Sequence, residues 1–325
     1  MDLPLDPTLK FGLQTIQRIA EPTDPNWRPT IDDCAVVVEL ADRLGFDSVW
    51  TGDHIAFPLP ILDPLIQMAQ AAVISRRMTV GSCVYLLPLR NPVTVAKQVA
   101  TLDHLTDGRF VFGVGLGGEF PREWEACGVP VAERGARMTE SLQMLRKLWS
   151  GEAVSHEGRF FRFPEIQLAP VPRTPGGPPI WCGGRQPQAL RRIARLADGW
   201  MSYVVTPEMY RQGLETIAAT AAAEGRGFSR FGTGHLLYAR IDSSYDKALD
   251  FATDMLSHRY NMDFRKAAQR YAAIGTAQDV AARLRDFHAA GVRHLVLDFL
   301  GTVEERPDQM RQFAEEVRPL LADLI

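Results

Sequence analysis

The sequence has few cysteines and no long apolar run. Four of its 325 residues are cysteines (Cys34, Cys83, Cys127 and Cys182), and no two of them form a Cys-x-x-Cys pair. This excludes a disulfide scaffold and a cysteine-based zinc site, and it indicates a reducing compartment. No apolar run approaches the length of about 18 residues that a membrane helix needs. The first ten residues do not resemble a signal peptide. We therefore expect a cytoplasmic protein.

Charge of one sign is also lacking. The formal net charge is −3, with acidic and basic residues interspersed along the chain. A protein that binds nucleic acid or an anionic membrane normally shows a basic patch. The sequence therefore predicts a small-molecule substrate, with neither nucleic acid nor membrane as a partner.

Several catalytic motifs are missing. The sequence has no Walker motif, no Gly-x-Ser-x-Gly elbow and no helical His/Glu metal pair. Their absence argues against a P-loop nucleotide site, serine-dependent acyl transfer and a zinc protease. We expect no metal ion.

What the chain does contain is a regular alternation of short apolar runs with amphipathic helical stretches. The predicted strands are Lys10–Gln14, Ser48–Thr51, Thr79–Tyr85, Phe110–Gly113, Ile180–Gly183, Gly199–Tyr203, His235–Ile241 and His294–Phe299. Eight such units predict an α/β fold of the (β/α)8 TIM-barrel type, as one domain over residues 1–325, with insertions after strands 4 and 7. A doubly wound sheet is the rival, but it would place a glycine-rich turn after the first strand.

A glycine run follows the fourth strand. Gly113, Gly115 and Gly117 alternate along it, and Glu123-Trp124 comes shortly after. Glycines there let a flat or phosphorylated ligand approach the backbone closely. The pattern by itself leaves open whether the run binds a nucleotide or forms the rim of another pocket.

The best candidate for proton transfer is His54, which follows the second strand. Side chains at the carboxyl ends of barrel strands form the active site in this architecture, and imidazole suits acid/base work. The alternative is a structural histidine beside a turn residue, Asp53.

A second candidate site is the turn Gly183-Gly184-Arg185, which opens a helix. Backbone N–H groups, the positive end of the helix and an arginine together suit a phosphate group, although a tight turn explains the glycines equally well. His258 and Arg259 could receive a substrate or only solvate their helix, and His235 is expected to point into the barrel mouth.

Together these segments resemble the luciferase-like monooxygenase superfamily, and most of all its branch of probable deazaflavin (coenzyme F420) oxidoreductases. The resemblance runs nearly end to end. The matching segments are Gly45-Phe-Asp-Ser-Val-Trp-Thr-Gly-Asp-His54, Leu87-Pro-Leu-Arg-Asn-Pro92, Leu102-Asp-His-Leu-Thr-Asp-Gly-Arg-Phe110, Gly113-Val-Gly-Leu-Gly117 with Glu123-Trp124, Pro179-Ile-Trp-Cys-Gly-Gly-Arg185 and Ala197-Asp-Gly-Trp200.

The resemblance implies a site for F420 or FMN at the barrel mouth. It implies a cis peptide at Cys83–Val84 behind the ring, and His54 near the ring as an acid/base. The cofactor-binding residues it implies are Ser82, Cys83, Val84, Gly115, Leu116, Gly183, Gly184, Arg185 and Ala189. Leu116 stands where bacterial luciferases carry arginine and the family's sugar-phosphate dehydrogenases carry glutamate. This argues against light emission and leaves the choice of cofactor open.

Four functions remain open on this basis. One is a (β/α)8 barrel that acts on a phosphorylated metabolite without flavin and holds the substrate phosphate at Gly184-Arg185. The chain could transfer hydride between deazaflavin and a small organic substrate, with His54 moving the proton. It could be the oxygenase of a two-component FMN system that takes reduced flavin from a partner reductase and oxygenates its substrate with O2. It could also be a flavin-binding protein without turnover. The resemblance further implies a homodimer.

Overall fold

The computed structural model describes residues 3–15, 29–57, 60–118 and 120–325. Its strands are β1 Lys10–Gln14, β2 Ser48–Thr51, β3 Thr79–Ser82, β4 Phe110–Val114, β5 Ala153–Glu157, β6 Arg162–Gln167, β7 Ile180–Gly183, β8 Gly199–Tyr203, β9 Gly232–Ile241, β10 Ala273–Gly275 and β11 His294–Phe299. Its α-helices are α1 Ile31–Arg43, α2 Pro64–Ile74, α3 Pro92–Leu105, α4 Pro121–Ala126, α5 Arg134–Leu148, α6 Pro187–Leu196, α7 Pro207–Ala223, α8 Tyr245–Tyr260, α9 Arg265–Tyr271, α10 Ala277–Ala289 and α11 Arg306–Gln312.

In the described part of the chain, eight parallel strands close into a barrel in the order β1-β2-β3-β4-β7-β8-β9-β11, and β11 pairs with β1. This confirms the predicted (β/α)8 fold. The insertion after β4 contains α4, α5 and the antiparallel β5–β6 hairpin, and the insertion after β9 contains α8, α9 and β10. Both lie where the sequence predicted them.

Local signals explain how the helices begin. At α1, Thr30 and Asp33 form a capping box. At α3, the Asn91 side chain accepts a hydrogen bond from the backbone N–H of Val93, and Pro92 occupies the first helical position. Among the described helices, none is long and apolar enough to cross a membrane.

Three predicted strand ends were wrong. The fourth strand ends at Val114, one residue beyond Gly113. The third strand ends at Ser82 rather than Tyr85, because the Cys83–Val84 peptide is cis and Tyr85 rejoins the sheet only through a bridge to Val114. The seventh strand begins at Gly232 rather than His235. Its early glycine looks like a turn signal in the sequence, but it is needed in the barrel because a Cβ there would overlap the indole ring of Trp181.

Large side chains fill the barrel lumen beneath the mouth. The indole rings of Trp50 and Trp181 lie 5.6 Å apart, and each meets His294 edge-on. Ser48 lies 2.6 Å from His294 Nε2 and accepts a hydrogen bond from Trp50. Because the lumen is packed, a ligand has access only above this layer, at the carboxyl ends of the strands.

Candidate active site

His54 and Glu123 form a hydrogen-bonded pair at the barrel mouth. The Nδ1 atom of His54 lies 3.0 and 3.2 Å from the two carboxylate oxygens of Glu123, and the backbone N–H of Ile55 donates to the same carboxylate at 3.0 Å. The Glu123 side chain is fully buried, whereas that of His54 is 20% exposed. A carboxylate at Nδ1 makes it the protonated ring nitrogen. Nε2, which has no hydrogen-bond partner among the described residues, is left to accept or donate a proton.

Packing fixes the orientation of this pair. The His54 ring stacks on Phe57 at 4.2 Å. Glu123 lies on α4, and its neighbour Trp124 is buried against Leu86 and Leu89, which follow the cis peptide. In the sequence, Glu123 stands out only as part of a motif, without a predicted role. Its place after the glycine run was the available signal, but the contact with His54 spans 69 positions.

Asp53 has a structural role, as the alternative interpretation of this turn allowed. Its carboxylate forms an ion pair with Arg90 through both oxygens and accepts a hydrogen bond from the backbone N–H of Leu86 at 2.8 Å. Burial raises the pKa of the Asp53 carboxyl, and the positive charge of Arg90 opposes that effect. This pair ties the turn that carries His54 to the segment that follows the cis peptide.

The Cys83–Val84 peptide is cis, as the resemblance implied. Val84 is half-buried and packs against two glycines. A Cβ on Gly115 would overlap its side chain, and a Cβ on Gly183 would lie 3.4 Å from it. The Cys83 carbonyl accepts a hydrogen bond from Gln14 Nε2 at 3.3 Å. The Oε1 atom of Gln14 is buried and has no partner among the described residues. Val84 thus forms an apolar surface at this point, and the unused acceptor Gln14 Oε1 lies near it.

The glycine run packs against this segment. A Cβ on Gly113 would overlap the Ser82 carbonyl, and a Cβ on Gly117 would press into Leu86. The Ser82 hydroxyl is buried and donates to the Gly113 carbonyl at 2.7 Å. Leu116 is half-buried against the main core. The glycine run therefore leaves space for the cis-peptide segment. A contact between Gly115 and a ligand would be a second role of this glycine.

The Gly183-Gly184-Arg185 turn lies on the same rim. Gly184 has a φ of +122° and is so close to Ala189 that a Cβ would lie 2.6 Å from it. Arg185 is exposed and donates to the Val204 carbonyl at 3.0 Å. As far as the described residues show, no side chain caps the first turn of α6. Uncapped N–H groups, helix dipole and guanidinium suit a phosphate group.

The three predicted substrate residues occupy very different places. His258 is exposed on the last turn of α8. Arg259 extends toward the mouth and lies 3.5 Å from the Asp298 carboxylate and 3.4 Å from the Tyr238 hydroxyl. The expectation that His235 points into the mouth was wrong.

His235 lies outside the barrel. It stacks on Phe287 of α10 at 4.3 Å and bonds to Ser202 at 2.7 Å. Side chains alternate along a strand, and in β9 it is Leu236 that joins the lumen cluster. Burial lowers the pKa of His235 to about 3, so this histidine stays neutral.

These features fit a flat ring with a phosphorylated tail. The cis peptide and Val84 offer a surface for the ring, Gln14 Oε1 offers an unused acceptor, and the uncapped turn of α6 suits the tail. No cluster of His, Cys, Asp or Glu suited to a metal ion occurs in the described ranges.

Comparison with known proteins agrees with this architecture. The sequence model of the luciferase-like monooxygenase family matches residues 9–294. The chain therefore belongs to the luciferase-like monooxygenase family. The 4-hydroxyprotoasukamycin monooxygenase of Streptomyces nodosus subsp. asukaensis is 29% identical over 228 residues, which are 67% of this chain and 61% of that protein. The chain spans less than two thirds of the length of the first curated relatives it matches. For the mycobacterial relatives the share is 63%.

Solved structures share the whole fold. The monooxygenase RslO1 of Streptomyces bottropensis is 25% identical with a TM-score of 0.80, over 96% of this chain and 99% of that one. An F420-dependent secondary alcohol dehydrogenase, solved with an F420–acetone adduct, has a TM-score of 0.82 at 20% identity, with coverage of 96% and 99%. At that identity the second likeness shows the fold alone.

Proposed function

We propose that this chain is an oxidoreductase that binds F420 or FMN at the barrel mouth and transfers hydride to or from a small organic substrate. The observation that carries the proposal is the His54–Glu123 pair beside the cis peptide. The bound cofactor supplies the redox chemistry. Cys83 and Val84 support its ring, Gly183, Gly184 and the first turn of α6 bind its phosphate, and Nε2 of His54 exchanges a proton with the substrate.

Cofactor binding tests the proposal directly. Titration of the protein with F420 and, separately, with FMN should show micromolar binding of one of them by absorbance and tryptophan fluorescence. Arg185→Ala should weaken that binding by roughly 10- to 100-fold, because a hydrogen bond to a charged group contributes about 1.5–3 kcal/mol. Arg211→Ala, an exposed arginine on α7, is the matched control. If neither cofactor binds in this range, the proposal fails.

A second candidate is an FMN-dependent two-component monooxygenase supplied by a separate reductase. The identity to 4-hydroxyprotoasukamycin monooxygenase favours it. Oxygen separates the two functions: hydride transfer proceeds without O2, whereas the monooxygenase consumes it. A protein that binds cofactor and is silent in every turnover assay would instead be a non-catalytic flavin-binding protein.

We also propose a cytoplasmic homodimer. Ile66 and Val73 lie one above the other on α2 and are 74% and 76% exposed. Ile31, 76% exposed, is tied to this helix by a hydrogen bond from Gln70 to its carbonyl at 2.8 Å. An exposed apolar stripe on a helix is typical of a contact with another protein.

Charged substitutions on this stripe should break the dimer. The double variant Ile66→Glu, Val73→Glu should elute as a monomer in size-exclusion chromatography with light scattering, because burying two carboxylates against apolar partners is unfavourable. Leu320→Glu, on another face, should leave the mass unchanged. A wild-type protein that is monomeric at micromolar concentration contradicts the proposal.

A further inference from the structure

Three tyrosine hydroxyls form a closed ring at the barrel mouth. Tyr203 lies 2.9 Å from Tyr238 and 3.0 Å from Tyr260, and Tyr238 lies 2.6 Å from Tyr260. Tyr203 ends β8, Tyr238 lies in β9, and Tyr260 is the last residue of α8. The insertion after β9 thus brings one of the hydroxyls to the other two.

The ring faces the proposed cofactor site. Met201 and Leu236 point into the lumen, so alternation along each strand places Tyr203 and Tyr238 on the inner face, one layer higher. In the barrel order, β9 lies opposite β3, which leads into the cis peptide, and β8 lies opposite β2, which leads to His54. A substrate between the hydroxyl ring and the cofactor would contact both.

An ion pair lies beside the ring. Arg259 approaches Tyr238, but it also lies 3.5 Å from the carboxylate of Asp298, and both side chains of this ion pair are about nine-tenths buried. Burial raises the pKa values of Tyr203 and Tyr238 well above 10, so both hydroxyls keep their protons. The carboxylate of Asp298 therefore opposes the attraction of Arg259 for an anion.

The donor and acceptor positions that remain free on the hydroxyl ring define what it can bind. Three hydroxyls have three donors, and a closed ring in which each donates to the next uses all of them. One acceptor position remains on each oxygen, and Arg259 takes the one on Tyr238. Tyr203 and Tyr260 can then each accept a hydrogen bond from a ligand. Tyr260, 38% exposed, is the corner of the ring that a ligand reaches from solvent.

We propose that the Tyr203–Tyr238–Tyr260 ring is the substrate-recognition site and that it selects neutral alcohols or phenols over carbonyl compounds and carboxylates. This proposal rests on the proposed function for the reaction that the bound substrate undergoes. The binding of the substrate does not depend on it. An O–H group donates to Tyr260 or Tyr203 while the ring stays closed. A ketone must open the ring to receive a donor, and a carboxylate meets an arginine that is already paired with Asp298.

Binding to the protein without cofactor tests this without any turnover. Ligand-observed NMR titrations with phenol, acetophenone and benzoate should rank phenol as the tightest ligand by roughly fivefold, the factor expected for one net hydrogen bond of about 1 kcal/mol. Tyr260→Phe and Tyr203→Phe should each remove this preference. Tyr271→Phe, which changes a tyrosine on α9 outside the hydroxyl ring, should keep it.

Charge gives an independent arm. Asp298→Asn should raise benzoate affinity relative to phenol, because it removes one negative charge beside Arg259. Equal binding of the three probes to wild type, or a phenol preference that survives both ring variants, overturns the proposal; if one ring variant does not fold, the other decides. Phenol selection without binding of F420 or FMN would refute the proposed function and leave this inference standing.

Discussion

Replacing His54 with alanine should lower kcat by about 10²- to 10⁴-fold, the usual contribution of a positioned acid/base, while cofactor affinity stays within about twofold. The imidazole ring of His54 holds Nε2 at the mouth and does not form part of the cis-peptide surface. Loss of the imidazole should therefore affect proton transfer and leave cofactor binding intact. Stopped-flow measurement of cofactor oxidation or reduction gives kcat, and absorbance titration gives affinity. Added imidazole should restore part of the rate, because the deleted side chain leaves a space of that shape.

Glu123 provides the companion test. We expect Glu123→Gln, which keeps an acceptor for His54 Nδ1, to retain more activity than Glu123→Leu, which removes it and leaves Ile55 N–H unpaired as well. A purely structural role for His54 would show itself as equal losses of binding and turnover and as no rescue by imidazole.

The largest stability effect is expected at Asp53. Asp53→Ala should reduce the free energy of unfolding by about 3 kcal/mol, since removing one partner of a buried ion pair leaves the other uncompensated. The Asp53 side chain is fully buried and that of Arg90 is 16% exposed. The variant also deprives the backbone N–H of Leu86 of its acceptor. Urea denaturation followed by tryptophan fluorescence gives the value.

An exposed pair serves as the control for this measurement. Asp308 lies 2.6 Å from Arg311 on α11, and its side chain is 74% exposed. Exposed ion pairs contribute little to stability, so Asp308→Ala should leave the denaturation midpoint nearly unchanged. Similar losses in the two variants would mean that the Asp53–Arg90 pair does not anchor the mouth.

The local pattern of the chain was sufficient for the fold. Apolar runs of strand length, each separated from the next by an amphipathic helix, predicted the eight barrel strands. Caps such as Asn91-Pro92 mark the helix starts. Both signals depend on neighbouring residues, which is why they can be read from sequence. The cis peptide at Cys83–Val84 was anticipated from family resemblance rather than from local pattern.

The contacts between the site residues could not be predicted from the local sequence pattern. Glu123 meets His54 across 69 positions, and Tyr203, Tyr238 and Tyr260 come from two strands and an inserted helix. His235 had a plausible position in sequence, but it points to the helices. By itself the sequence determined which elements form, their order in the barrel and the position of His54 at its mouth. Only the tertiary structure decided which side chains meet there, because barrel closure sets the facing of each strand and brings distant segments within hydrogen-bond distance.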